Sequence, residues 1–410
     1  MKNPIQVVIA FLLGLASLTA ARASVDPLLQ LNTGGPTATV RTLILNKNET
    51  LLIGAGDDKV IRVWETPNLN LQREIRGQIS RDIQGAVNAM ALSPDDRWLA
   101  ASIFFPHQHN GSEKRGYLRI HDFASGRLVK ILEGHTKAIQ SLKFSDDGSM
   151  LVGGESLEDD PRVVIWDTST WQVKHSFVGH QDGISGVAFT PDLKQVISAS
   201  WDGSIRFWDL ASGKQVNAIR DAHKGRIYGV QMPRGAAEPI IVTGSADRTV
   251  KVWNYRSGKR LKTFKFKRKI RRVRVNSTGS RILAGSVGEH DNAWVSVLDA
   301  SSGKEVARYK GHDRTPRGMV LSDNDDIVYS AGGFHHEIDV WKLSSGQRMG
   351  RLAGAGRPVQ AVGISNDGKT LFWGQKPIDW SGRKYNFNTL AEITHRVSLQ
   401  TVHDQLGVPE

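Results

Sequence analysis

The chain contains no cysteine. That excludes disulfides, thiolate nucleophiles, thiolate metal sites and lipidated cysteines, so stability must come from packing alone. Beyond residue 18 no apolar run approaches the roughly 20 residues that a membrane-spanning helix needs. No Ser-His-Asp neighbourhood, phosphate-binding glycine loop or paired-carboxylate site announces itself. Acidic residues are in the minority: 41 against 54 lysines and arginines, a net charge of +13 over 410 residues. Such an excess favours acidic partners, or simply keeps the chain in solution.

The amino terminus is the first positive feature. Lys2 precedes an apolar run from Ile5 to Leu18, and Ala21-Arg22-Ala23 follows. A basic start, a short apolar core and an Ala-x-Ala ending are the parts of a secretory signal peptide. The run is short for a retained membrane anchor, the competing reading. Residues 1–23 are therefore expected to be removed, leaving a soluble protein in the periplasm or outside the cell.

The rest of the chain is built on a repeat. Its most regular copy is GHQDGISGVAFTPDLKQVISASWDGSIRFWD, from Gly179 to Asp209. Three short alternating runs separated by Thr190-Pro191-Asp192 and Trp201-Asp202-Gly203 form a meander that cannot bury both its faces alone. The turn after the first strand recurs at Asn46, Ser93, Ser145, Thr190, Pro233, Asn276, Ser322 and Ser365. The spacing is roughly 43–52 residues, the period of a four-stranded propeller blade. A third-strand landmark recurs in step at Trp64, His121, Trp166, Trp208, Trp253, Leu298, Trp341 and Phe387.

These residues resemble the WD-repeat family. Trp166-Asp167 and Trp208-Asp209 are intact Trp-Asp pairs; Gly134-His135, Gly179-His180 and Gly311-His312 are Gly-His pairs, with Ala222-His223 a near match. The resemblance covers about Leu28 to Leu390. It implies an all-β fold, a WD-repeat β-propeller of eight blades, or seven blades plus a partial unit. Leu28–Leu31 is expected to close the ring by pairing with the last blade. Residues 24–391 would form the propeller and 392–410 a C-terminal tail. The resemblance also implies a buried hydrogen-bond chain in each regular blade: His180, Ser198, Asp202 and Trp208 in one, His223, Thr243, Asp247 and Trp253 in the next. These histidines are then structural rather than catalytic. Gly54 and Leu298 should break the chain in units one and six. Phrases such as Ala89–Asp95 and Asp58–Trp64 are similar to the propeller part of bacterial exported proteins that join WD repeats to a caspase-like protease; no protease segment is present here.

Function is expected to be binding without a cofactor, by a monomer, with a protein as partner rather than nucleic acid. In WD-repeat proteins contacts come from the start of each first strand and from the residue before the turn Asp. The matching residues are Arg41, Asn88, Gln140, Ser185, Tyr228, Arg271, Arg317 and Gln360, with Asp57, Trp201 and Ala246 from the turns. Lys267, Arg268 and Lys269 sit on the same rim and should draw an acidic segment. An exposed Trp201 is the expected anchor. Arg272 stands where Thr42, Ala89, Ser141, Gly186, Gly229, Gly318 and Ala361 stand in other units, so it should point into space those small residues leave open. The acidic stretch Glu155–Asp160 reads as a surface charge patch. The alternative function is an envelope enzyme with a metal or acid–base site drawn from the loop histidines His107, His109, His290, His335 and His336.

Overall fold

The computed structural model describes residues 38–352 except 67, 77–84, 105–115, 157–159, 234, 289–292, 313–314, 323–325 and 333–336. It also describes the backbone of three strands between 361 and 398. Leu28–Leu31, Gln360, Phe387 and the five loop histidines lie outside the described residues. The chain divides into two compact units, Gly34–Gly356 and Met1–Thr33 with Arg357–Glu410.

The larger unit holds seven four-stranded antiparallel sheets, each made of four consecutive strands. The blades occupy residues 40–76, 86–132, 139–177, 184–219, 227–265, 270–309 and 318–352. Blade four shows why. Ile184–Phe189, Gln195–Ser200 and Ile205–Asp209 carry small or β-branched residues on both faces and are mostly buried. A blade wedged between two neighbours needs apolar residues on both sides. The fourth strand, Lys214–Ile219, is mainly exposed and polar, as an outer edge requires. At the turn before the third strand Gly203 has φ of 81°, and a Cβ there would meet the His223 carbonyl oxygen at 2.7 Å. Only glycine fits.

The core lies between blades. Seven apolar clusters each join neighbouring sheets. Trp208, 2% exposed, stacks on Phe177 of the preceding blade with ring centroids 5.0 Å apart. The cluster that closes the circle joins Val40, Leu43, Leu52 and Trp64 of blade one to Tyr329, Ala331, Ile338 and Val340 of blade seven. A Cβ on Gly318 of blade seven would meet Leu43 at 3.0 Å. No eighth blade can enter that contact, so the expectation of eight is corrected to seven. The eighth sequence unit instead contributes two strands, Ala361–Ile364 and Thr370–Gly374, to a three-stranded sheet in the other unit; the third strand, Ile393–Ser398, comes from residues 392–410, expected as a C-terminal tail.

Candidate binding face and central channel

In blades four and five the polar chain runs through the interior. The Trp208 indole N–H donates to Ser198 Oγ at 2.8 Å, His180 Nε2 lies 2.8 Å from the same oxygen, and His180 Nδ1 lies 2.9 Å from Asp202 Oδ2. A carboxylate only accepts, so Nδ1 carries the proton and Nε2 accepts from the Ser198 hydroxyl. Blade five repeats this with Trp253, Thr243, His223 and Asp247 at 2.9, 2.8 and 2.9 Å. Burial pushes His180 down and His223 down to about 4, against the pull of their carboxylates. Burial alone would raise the Asp202 carboxyl; hydrogen bonds from His180, Ser204 and Gln181 outweigh it and hold the group well below the usual carboxylate range.

Other blades vary the theme. In blade three Gly153 stands at the hydroxyl position, and the Trp166 indole donates instead to the Glu133 carbonyl at 2.7 Å. In blade one Gly54 stands there, packed against the Trp64 ring. Blade six fills the space with Ala284 and Leu298. Blade seven keeps Trp341, Ser330 and His312, but the carboxylate comes from Glu337, whose Oε1 lies 3.0 Å from His312 Nδ1. Glu337 follows the turn rather than lying within it, which the sequence reading missed. Asp339 sits beside this pair, and the offered atoms of all three lie within 4.8 Å of one another, close enough to ligate a cation. Two of the three already have strong partners, however: His312 donates to Glu337, and Arg351 grips Asp339 at 2.6 and 2.9 Å.

The first strand of blades one to six carries a β-bulge. Its pairing skips from Val40 to Thr42, Val87 to Ala89, Ile139 to Ser141, Ile184 to Gly186, Ile227 to Gly229 and Ile270 to Arg272. The extra residue in each case is Arg41, Asn88, Gln140, Ser185, Tyr228 or Arg271. A bulge re-aims its unpaired side chain. The positions singled out for contact are thus one structural feature repeated round the ring, with Arg317 at the head of the strand in blade seven.

Their contacts are not alike. Arg41 forms an ion pair with Asp57 and donates to Asn88 Oδ1 at 2.8 Å, tying blade one to blade two. The Arg271 guanidinium lies 4.8 Å from the centre of the Tyr228 ring. Arg268 lies 5.0 Å from the Trp294 ring centre, while Lys267 and Lys269 are exposed and form no ion pair among the described residues. Trp201 is half-buried, not exposed as expected, because Arg226 lies over its ring at 5.1 Å. Its indole nitrogen is buried without a hydrogen-bond partner. Glu155 also departs from expectation. It ends the strand Met150–Glu155 fully buried, accepting from the Thr136 amide at 2.8 Å and pairing with Arg162 at 3.1 Å. It is a structural anchor and no part of a surface patch; residues 157–159 lie outside the described residues, and Asp160 is exposed.

The inner strands of all seven blades enclose a channel of about 520 Å³. Arg272 extends into it and donates from Nε to the Arg317 carbonyl at 2.5 Å.

A family model described as "WD domain, G-beta repeat" matches residues 28–65, 126–167, 171–209 and 213–254. Together with seven closed four-stranded sheets, the match decides the matter. This chain is a WD-repeat β-propeller. Among its WD-repeat relatives, Actin-interacting protein 1 of Drosophila melanogaster is 24% identical over 332 residues, 78% of this chain and 50% of that protein. The Target of rapamycin complex subunit wat1 of Schizosaccharomyces pombe is 28% identical over 169 residues, 40% of this chain and 46% of the relative. Autophagy-related protein 16 of Arabidopsis thaliana is 24% identical over 263 residues, 62% and 49% respectively. The propeller chain spans half or less of the length of these curated relatives. No helix among its described residues is long and apolar enough to cross a membrane.

Proposed function

We propose that this propeller is an exported, non-catalytic protein-interaction scaffold. It binds an acidic segment of a partner protein on the face that carries the bulged residues. The observation that carries the reading is the repeated bulge, which aims Arg41, Asn88, Gln140, Ser185, Tyr228 and Arg271 from six successive blades at one rim. Arginine and tyrosine are the types that dominate binding hot spots, and here they are pre-positioned on rigid strands. The exposed Lys267 and Lys269 give the blade-six side of that rim its charge. Positive charge there raises the association rate and makes it salt-sensitive.

The names of the relatives support the general class, since one is called actin-interacting and another a complex subunit. Export rests on Lys2, the Ile5–Leu18 run and Ala21-Arg22-Ala23. Two measurements test the proposal. Amino-terminal sequencing of the protein purified from its host should begin after Ala23; a start at Met1 removes the export claim. Capture from an envelope extract should recover a partner at low salt and lose it at high salt, whereas salt-independent capture contradicts the acidic-segment claim.

A further inference from the structure

We propose that the central channel is an oxyanion site in which Arg272, with Arg274 two residues along the same strand, binds a phosphoryl group. The inference goes beyond partner binding on the rim and concerns a small ligand inside the ring.

The geometry begins with space. At the Arg272 position the other six blades carry Thr42, Ala89, Ser141, Gly186, Gly229 and Gly318. A Cβ added at Gly229 would meet nothing within 4 Å. At Gly186 and Gly318 a Cβ would instead meet the next blade, 2.6 Å from Val230 N and 3.0 Å from Leu43. Arg272 is thus the one long side chain at this position, and it lines the channel. The bond from Arg272 Nε to the Arg317 carbonyl fixes its guanidinium. Among the described residues its two terminal amino groups make no hydrogen bond to protein. Arg272 lines the channel, and the bond at Nε restrains the guanidinium that carries these two donors.

Charge points the same way. Arg274, two residues along the same strand, also lines the channel, as do Arg41 and Arg317. Among the described residues neither Arg272 nor Arg274 has a carboxylate partner. Asp57, beside the rim, is committed to Arg41. The acidic lining residues Glu49, Asp96 and Asp146 belong to the turns at the far ends of the first strands. Burial pushes Arg272 down to about 9, aided by Arg274, Arg271, Arg317 and Arg41, and pushes Arg274 down to about 10. Like charges crowded in a passage of lowered polarity are costly until a counter-charge arrives.

The donor set selects the chemistry. Arg272 and Arg274 place two positive charges from one strand on the same lining, with the two terminal amino groups of Arg272 left as donors. A tetrahedral dianion offers three or four oxygens to such a set, whereas a carboxylate offers two oxygens and one charge. The channel's 520 Å³ falls within the usual range for a small-molecule site of about 300–1,000 Å³. The phosphoryl group can thus come as free phosphate or on a small phosphate monoester.

The test is calorimetric titration of the whole protein with inorganic phosphate, ribose 5-phosphate and citrate at matched ionic strength. Saturable binding of phosphate or the monoester is expected, the tighter of the two identifying the source. Arg272→Gly, which installs the residue found in three other blades, should weaken it at least tenfold. Arg272→Lys keeps the charge, loses the fork and should also weaken it. Trp201→Ala and Arg268→Glu should leave it unchanged, which separates this site from the rim. The proposal is overturned if no phosphate species binds saturably, if citrate binds as tightly as the phosphates, or if Arg272→Lys, folded by circular dichroism, binds as wild type does.

Discussion

Ser198→Ala deletes one oxygen that two buried groups share. Ser198 is fully buried; the Trp208 indole N–H points at its Oγ from 2.8 Å and His180 Nε2 lies 2.8 Å away on the other side. The substitution opens little volume and leaves the apolar contacts of the ring in place. Its cost is therefore the desolvation of a donor and an acceptor that lose their partner together, at about 1–3 kcal/mol each. The sum is about 2–6 kcal/mol, large against the total stability of most domains. Ser212→Ala is the control, since the Ser212 hydroxyl bonds Asp209 in an exposed turn and its loss should cost under about 0.5 kcal/mol. Urea unfolding followed by tryptophan fluorescence and by circular dichroism measures both. If Ser198→Ala costs no more than Ser212→Ala, the buried chain does not stabilise blade four and the argument fails.

Three further outcomes follow from the same structure. Trp208→Ala should destabilise by about 3–5 kcal/mol, because it removes an aromatic side chain stacked between blades as well as the donor; thermal melts check this. Acid should weaken the fold through His223. Its folded value of about 4 lies below the ordinary 6.5, so above pH 6.5 both states are neutral and stability is complete. As pH falls toward 4 the unfolded chain takes up a proton that the fold refuses, and stability declines by up to about 3 kcal/mol. Urea midpoints at pH 7.5 and 4.5 should differ more in wild type than in His223→Gln; equal differences would contradict the assignment. Glu155→Gln should leave Arg162 without its anionic partner and cost about 1–3 kcal/mol by urea unfolding, whereas a neutral result would show that the buried pair does not anchor blade three.

The repeat was legible because a blade writes its period locally. Turn residues and third-strand tryptophans recur whether or not the sheets are seen, and the resemblance to WD repeats implied the His–Asp pairs of blades four and five. The number of blades could not be read that way. The eighth unit does supply a strand, Thr370–Gly374, but closure depends on Leu43 meeting Gly318, a contact between residues some 275 positions apart. Local pattern carries no information about it. The bulges were equally hidden: the positions of Arg41 and Arg271 could be aligned, yet that they are unpaired extra residues is a property of two strands. Glu155 and Trp201 were misjudged for a related reason. A glutamate next to a loop looks solvated until Arg162 and the Thr136 amide fold back on it, and a turn tryptophan looks exposed until Arg226 from the next blade covers it. Glu337 carried a usable signal. Once His335 stands at the turn position, the nearest following carboxylate is the candidate to replace it.

The most direct test of the binding-face account is the kinetics of the partner captured from the envelope, measured against immobilised wild type, the Lys267→Glu/Arg268→Glu/Lys269→Glu variant and Trp201→Ala. The account predicts that charge reversal slows association and removes most of its salt dependence while release stays the same. It predicts that Trp201→Ala speeds release about tenfold or more with association little changed. If both variants bind and release the partner as wild type does, the bulged face is not the binding site.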